Sequence, residues 1–166
     1  EPIAYILKEK EFWSKKFYVS KDTLIPRPET ELLVDKLTKI YKDKKVSILD
    51  IGTGTGCIIL SLLMNLRFST GTGVDISKKA ILVAKKNAMV HGLLRRVKFF
   101  NKSFQCLSDK KFDLIVSNPP YIMRKELRNL SDDIRKYEPR MALDGGNDGR
   151  DLSKKVIYKS VKIWKI

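Results

Sequence analysis

The chain has 166 residues, of which 43% are hydrophobic and 32% charged, and this is enough for one globular domain with a hydrophobic core. Its longest apolar stretch, 57–66, is too short to cross a bilayer, and Cys57 and Cys106 form no disulfide framework or C-x-x-C metal motif. We therefore expect a cytoplasmic protein without a bound metal or a membrane partner. The net charge of +15 suits nucleic acid, but the lysines are spread along the whole chain and select no partner by themselves.

The segment 1–45 has strand and helix signals of its own. The apolar and aromatic runs of 3–19 predict a β-hairpin around a charged middle. Pro26 and Pro28 then mark a loop and the start of a helix. That helix has one apolar face, formed by Leu33, Leu37 and Ile40. We predict that 1–45 forms an N-terminal hairpin with a linking helix, followed by a partial domain over 46–166.

From residue 46 onward, apolar strands alternate with helices. Strands are predicted at 46–52, 71–77, 96–100 and 111–118, and helices at 57–66, 78–92 and 152–165. This order predicts an α/β fold, a Rossmann-like parallel sheet covered on both faces. Ligands of such sheets bind beyond the carboxyl ends of the strands. The motifs DIGTGTG, VDIS and SNPPY all lie at such ends.

The glycine-rich turn of 50–56 follows the first of these strands. Glycine lets a backbone turn tightly and approach a ligand closely. The third glycine comes one residue too early for a G-x-G-x-x-G dinucleotide loop, and the acid before the first glycine suits an ammonium group. The spacing is similar to that of class I methyltransferases that use S-adenosylmethionine. We expect this cofactor to contact Asp50, Ile51, Gly52, Thr53, Gly54 and Gly56.

Asp75 ends the second strand, where a carboxylate can accept hydrogen bonds from ribose hydroxyls, and Ile76 would then flank the adenine. The alternatives at this stage are a dinucleotide site, or a plain turn with Asp75 as a helix cap. The sole histidine, His91, precedes Gly92 at a helix end, and we expect a structural role for it.

The acceptor motif is Asn118-Pro119-Pro120-Tyr121. An amide or exocyclic aromatic nitrogen is a poor nucleophile because its lone pair is delocalised. The Asn118 side-chain oxygen and the Pro119 carbonyl can accept hydrogen bonds from its NH2 group, and the prolines hold both acceptors rigid. Tyr121 offers an aromatic face to a planar substrate or to a sulfonium. Asn118, Pro119 and Tyr121 are the predicted catalytic residues, and this chemistry requires no general base.

Longer stretches narrow the choice of substrate. They resemble the HemK/PrmC family, the N5-glutamine methyltransferases of class-1 peptide chain release factors, over nearly all of 1–157; the matching stretches are EPIAYILKEKEFW, LIPRPETELLV, ILDIGTGTGCI, FDLIVSNPPYI and YEPRMALDGGNDG. The resemblance implies a release-factor glutamine, in the Gly-Gly-Gln motif, as the methyl acceptor. It implies that Phe12, Arg27 and Pro120 join Asn118, Pro119 and Tyr121 in binding the substrate, that Asn118 also contacts the cofactor, and that Glu138 and Pro139 brace the acceptor loop.

The chain departs from the family pattern at some positions. Lys102 and Ser103 stand where the family often has an acid and an aromatic residue, so Ser103 is the expected cofactor contact there. Arg150 follows the GGNDG cluster, where a hydrophobic residue is usual. The family also has a helical domain before the position of Glu1 and further strands after the last helix. We therefore expect the 166 residues to be a fragment that is truncated after the fourth strand.

Different functions stay open at this point. The NPPY motif also occurs in enzymes that methylate adenine N6 or cytosine N4 in DNA, or guanine N2 in RNA, and the high net charge favours such a substrate. DNA enzymes, however, usually need a target-recognition segment for base flipping, and no insertion here fits one. We therefore expect no stable nucleic-acid binding. The remaining alternative is a cofactor-binding fragment without activity of its own.

Overall fold

The first part of the chain combines a short helix with a tight hairpin. A computed structural model describes residues 1–107 and 110–165; residue 166, the end of the predicted partial domain, lies outside this part. Helix α1 spans Ile3–Leu7, and strands β1 (Glu9–Phe12) and β2 (Lys15–Tyr18) pair antiparallel. The predicted hairpin is thus confirmed for its second half, but 3–7 is helical, because Tyr5 alone is buried there and donates a hydrogen bond to the Thr23 carbonyl.

Helix α2 (Glu31–Ile40) follows the proline loop, as predicted, but its buried face differs from the expected one. Val34 is fully buried and Leu33 and Leu37 pack beside it, whereas Ile40 is exposed. Helix α2 packs its buried face against the helix that follows the glycine turn, and Ile40, its last residue, is left in solvent.

A parallel sheet of four strands forms the centre of the described molecule. Its order is β5-β4-β3-β6, with β3 at Ser47–Ile51, β4 at Thr70–Asp75, β5 at Val97–Asn101 and β6 at Leu114–Ser117. Helices α3 (Cys57–Asn65), α4 (Lys78–Val90), α5 (Asp132–Tyr137) and α6 (Asp151–Ile163) complete the fold. The predicted alternation of strands and helices is confirmed. No helix in 1–107 or 110–165 is long and apolar enough to cross a membrane.

Hydrophobic clusters cover both faces of the sheet, because successive strand side chains point to opposite sides. Ile48 packs with Ile59 on one face, while Leu49 packs with Phe112 and Ile163 on the other. The hairpin adds Phe12 and Phe17 to the first cluster. The hairpin therefore shares its core with the sheet, and the division into 1–45 and 46–166 stays a prediction.

The strand order fixes where a ligand can bind. The chain runs from β3 to β4 and β5 on one side and returns to β6 on the other, so β3 and β6 flank the topological switch point. Ile51 is paired with Ser117 at the carboxyl ends of these strands, and the Ser117 hydroxyl donates to the Ile51 carbonyl at 2.8 Å. The glycine turn and the NPPY motif therefore leave adjacent strands at the same level.

Candidate functional site

A cavity of about 370 Å³ lies beyond the carboxyl ends of β3, β4 and β6. The glycine turn forms its floor, the NPPY loop forms one side, and the segment of 21–27 that follows the hairpin forms another. The predicted site residues on its wall are Arg27, Ile51, Gly52, Thr53, Gly54, Asp75, Ile76, Asn118, Pro119 and Pro120. The cofactor motifs and the acceptor motif thus share one cavity.

The glycine turn needs glycine for its backbone conformation. Gly52 has φ +70°, and a Cβ built on it would meet no atom within 4 Å. The turn is held from below, because the N–H groups of Gly52 and Thr53 both donate to the Val74 carbonyl, at 2.9 and 3.1 Å. These N–H groups are therefore engaged inside the protein, and the open side of the turn offers a bare backbone surface to a ligand.

Asp50 lies beneath the turn and is almost fully buried. The Thr53 hydroxyl donates to its Oδ2 at 2.8 Å, while its Oδ1 has no hydrogen-bond partner among the described residues. Burial raises the pKa of this carboxyl to about 7, the hydrogen bond from Thr53 opposes that rise, and the charge of Asp75 adds to it. An unsatisfied buried carboxylate oxygen beside the cavity suits a ligand ammonium group.

The Asp75 carboxylate is held in one orientation by backbone donors. Its Oδ2 accepts from the Gly54 N–H at 3.0 Å, and its Oδ1 accepts from the Ser77 N–H at 2.9 Å. Because a carboxylate has about four acceptor sites, each oxygen keeps one for a ligand hydroxyl. Ile76 stands beside it on the cavity wall with an exposed side chain.

Asn118 begins the acceptor loop directly after β6. Its Nδ2 makes a long hydrogen bond of 3.5 Å to the Thr30 hydroxyl, and this turns the amide nitrogen toward the proline loop. The amide oxygen is therefore the atom of this side chain that remains for a substrate NH2 group. Pro119 and Pro120 follow on the cavity wall and fix the backbone.

Arg27 and Glu138 form an ion pair between the proline loop and the segment before the GGNDG cluster. The Arg27 guanidinium donates to Glu138 Oε1 at 2.8 Å, and the Glu138 carboxylate is 1% exposed. Arg27 lines the cavity, so this pair fixes one wall of the site. Glu138 thus braces the proline loop, whereas the sequence predicted that it braces the NPPY loop.

The brace of the NPPY loop comes instead from the GGNDG cluster. The Gly145 N–H donates to the Ile122 carbonyl at 2.9 Å, and a Cβ on Gly145 would lie 2.8 Å from the Pro120 carbonyl oxygen and from Tyr121 Cα. Only glycine permits so close a backbone contact. The cluster was visible in the sequence, but its contact with Pro120 was not.

We expect Gly145→Ala to displace the acceptor loop. The added methyl group overlaps backbone atoms that cannot rotate away, so the free energy of unfolding should fall by about 1–3 kcal/mol. Thermal unfolding measures this change. Asn147→Ala is the control, because this exposed side chain belongs to the same loop. A Gly145→Ala variant as stable as the control would contradict the assigned contact.

Some predicted site residues lie away from the cavity wall. Phe12 is 1% exposed and packs edge-on against Phe17, so it belongs to the core and not to a substrate surface. Tyr121 points to solvent and is 69% exposed. Ser103 caps a short 3₁₀ helix by accepting from the Gln105 N–H, and Gly56 is the residue directly before α3. Of these, Phe12 is the furthest from the predicted role.

The sequence prediction missed Phe104. This aromatic residue is buried on the cavity wall beside Lys102, one position after Ser103. An aromatic residue thus lies on this wall one position after Ser103, the cofactor contact predicted from the sequence. Phe104 and the alkyl part of Lys102 are the apolar surface that an adenine ring would meet on this side.

The donor set fits S-adenosylmethionine. The cavity combines the open glycine turn, an oriented carboxylate on Asp75 and the apolar surface of Phe104. Asp50 does not line the cavity but lies buried beneath the turn, where its Oδ1 has no partner among the described residues. By contrast, 1–107 and 110–165 contain no cluster of three or more His, Cys, Asp or Glu side chains that could hold a metal ion.

Comparisons with known proteins place the chain among methyltransferases. The methyltransferase small domain family matches residues 25–137. The release factor glutamine methyltransferase of Bradyrhizobium diazoefficiens is 43% identical over 98% of this chain and 56% of its own length, and that of Geobacter sulfurreducens is 44% identical over 95% and 55%. A bifunctional methyltransferase of Rickettsia bellii is 40% identical over 98% of this chain and 34% of its own length. The chain spans about half the length of the first two relatives.

Solved structures share the fold. The catalytic domain of hMettl16, solved with a MAT2A 3'UTR hairpin, is 19% identical with a TM-score of 0.71 and covers 90% of this chain and 58% of that one. A SAM-dependent methyltransferase from Agrobacterium tumefaciens is 22% identical with a TM-score of 0.56, over 70% and 40%. These likenesses confirm the predicted Rossmann-like class I fold, and the relatives confirm the resemblance drawn from the motifs. Together they support S-adenosylmethionine as the cofactor.

Proposed function

The chain belongs to the methyltransferase small domain family, and from this premise we propose that the whole protein methylates a glutamine side-chain amide of class-1 peptide chain release factors. The glutamine is that of the Gly-Gly-Gln motif, and the reaction takes place in the cytoplasm, where translation terminates. The observation that carries the proposal is the shared cavity, in which the glycine turn and the NPPY loop leave adjacent strands. The names of the most similar relatives support the substrate.

The methyl donor supplies an electrophilic methyl group on a sulfonium when it is bound. Asn118 Oδ1 and the Pro119 carbonyl accept hydrogen bonds from the glutamine NH2 group, and this orients the nitrogen and raises its electron density. The NPPY loop does not have to change conformation to offer these acceptors, because Gly145 and the prolines already fix its backbone. Arg27, held by Glu138, forms part of the wall that the glutamine meets.

Asp50 gives the cofactor site a pH dependence. Its pKa is raised to about 7, so below that pH the carboxyl of the free protein is neutral and cannot pair with a ligand ammonium. We expect the affinity for S-adenosylhomocysteine, which carries the same ammonium, to increase by up to about tenfold per pH unit as the pH rises toward about 7 and to level off above it. Calorimetric titration across this range measures it.

Asp50→Asn is the matched control for this pH dependence, because the amide has the same shape but does not titrate. The variant should bind with a flatter pH profile over the same range. A wild-type affinity that does not change with pH, or a variant with the wild-type profile, would contradict an ionised Asp50 in the bound state.

A nucleic-acid base is the second candidate acceptor. The net charge of +15 favours it, as does the NPPY motif itself. The deciding experiment incubates the protein with labelled S-adenosylmethionine and either a release factor or duplex DNA and structured RNA. We expect label on the release factor alone. Label on nucleic acid and none on the release factor would replace the first proposal by the second.

A further inference from the structure

A fully buried amide side chain, which does not line the cavity, connects the hairpin with the glycine turn. Asn87 lies in α4, is 1% exposed, and belongs to neither the cofactor motifs nor the acceptor motif. Its Nδ2 donates to the Thr55 carbonyl in the glycine turn at 2.9 Å and to the Tyr18 carbonyl at 3.0 Å. Its Oδ1 accepts from the Tyr18 N–H at 2.7 Å. Both amide protons are thus used, one on each side.

Tyr18 is the last residue of β2, and two residues separate it from 21–27, the segment that forms one wall of the cavity. The backbone groups of Tyr18 that Asn87 holds are the outer edge of β2, which faces away from β1. Val19, next in the chain, is fully buried, and 21–27 then runs along the cavity. The Asn87 amide therefore fixes the point from which this wall begins.

Thr55 is the corresponding point on the cofactor side. It lines the cavity, is almost fully buried, and lies between the left-handed Gly54 and Gly56. Helix α4 also touches the turn one helical turn earlier, where a Cβ on Gly56 would lie 3.4 Å from the Ala84 Cβ. The Thr55 carbonyl is thus held by a side chain whose other contacts are on the hairpin.

His91, which directly follows α4 and lies four residues after Asn87, also contacts the hairpin. Its Nε2 lies 3.1 Å from the Lys16 carbonyl and its ring packs on Phe17. Within the described part of the chain, His91 forms no hydrogen bond to the glycine turn. Asn87 differs from it in joining hairpin and turn.

We propose that Asn87 is a positioning residue that makes binding of the cofactor at the glycine turn and docking of the hairpin segment a single, coupled event. This rests on the proposed function, since it assumes that S-adenosylmethionine occupies the turn. Losing the amide leaves the buried carbonyl of Thr55 and the partly buried carbonyl and N–H of Tyr18 without their partner. Unsatisfied groups that are shielded from water destabilise the fold. The turn and the wall then relax independently.

Hydrogen exchange of the wild-type protein tests the coupling without a mutation. Saturating S-adenosylhomocysteine should slow amide exchange at 52–56, in the turn, and also at 15–19, in the hairpin, which lies outside the cavity. Protection confined to the turn would overturn the inference. Absence of binding by the wild-type protein would instead overturn the proposed function, so the two failures are distinguishable.

Asn87→Ala extends this test. We expect its dissociation constant for S-adenosylhomocysteine to increase about tenfold, with protection retained at 52–56 and lost at 15–19. The control is Asn65→Ala, because among the described residues the Asn65 amide donates within α3 alone, to the Ser61 carbonyl at 2.8 Å. This variant should keep the wild-type pattern. A folded Asn87→Ala variant with wild-type affinity and wild-type protection at both segments would contradict the assignment.

Discussion

Asn118→Ala is expected to lower the rate of methyl transfer about a hundredfold to a thousandfold while cofactor binding survives. The side-chain oxygen is one of the acceptors proposed for the substrate NH2 group, and alanine has none. Asn118 is also an expected cofactor contact, but the glycine turn and Asp75 supply most of the cofactor side of the cavity. Affinity for S-adenosylhomocysteine should therefore change little. Single-turnover kinetics with a release factor, and calorimetric titration of the cofactor product, separate the two quantities.

The matched control for this variant is Asn129→Ala, since Asn129 is exposed at the end of a 3₁₀ helix after the acceptor loop. It should keep the wild-type rate. Equal losses of binding and of transfer in Asn118→Ala would contradict an acceptor role, because they would indicate that Asn118 supports the cofactor site or the fold instead.

Asp75→Ala should instead lower the affinity for the cofactor and have a smaller effect on the rate of methyl transfer. It removes the acceptor of the Gly54 and Ser77 N–H groups and the carboxylate offered to the ribose hydroxyls. Hydrogen bonds to a charged group contribute about 1.5–3 kcal/mol each, so we expect a loss of cofactor affinity of about a hundredfold or more. Calorimetric titration with S-adenosylhomocysteine measures it, and the rate at saturating cofactor should fall far less.

Asp35→Ala serves as the control for Asp75→Ala, because the Asp35 carboxylate pairs with Lys39 on the surface of α2, away from the cavity. It should bind the cofactor product as the wild type does. If Asp75→Ala also bound it with wild-type affinity, Asp75 would be a helix-capping residue and the ribose would lie elsewhere.

The sequence alone located the cavity because its motifs sit at strand ends. Parallel strands carry their carboxyl ends to one edge of the sheet, so motifs separated by many residues had to meet there. Asp75 and Asn118 were predictable for this reason, and so was the neighbourhood of the glycine turn. Asp75 is the last residue of β4, and Asn118 directly follows the apolar strand β6.

Other contacts depended on tertiary packing that no local pattern encodes. Phe12 was expected at the substrate, but the left-handed Trp13 and Ser14 turn brings it back against Phe17, and the pair enters the core. Glu138 and Arg27 meet across 111 residues of chain, and Gly145 meets Pro120 through their backbones. Asn87 gave no signal at all, since a single asparagine in an amphipathic helix predicts nothing about carbonyls on two other segments.

The most direct test of the proposed chemistry is a crystal structure of the protein with S-adenosylhomocysteine and a peptide that contains the Gly-Gly-Gln sequence. We predict that the glutamine NH2 group donates to Asn118 Oδ1 and to the Pro119 carbonyl, with its nitrogen facing the sulfur of the cofactor product. A glutamine bound with its carbonyl oxygen toward Asn118, or with its nitrogen turned away from that sulfur, would contradict the account.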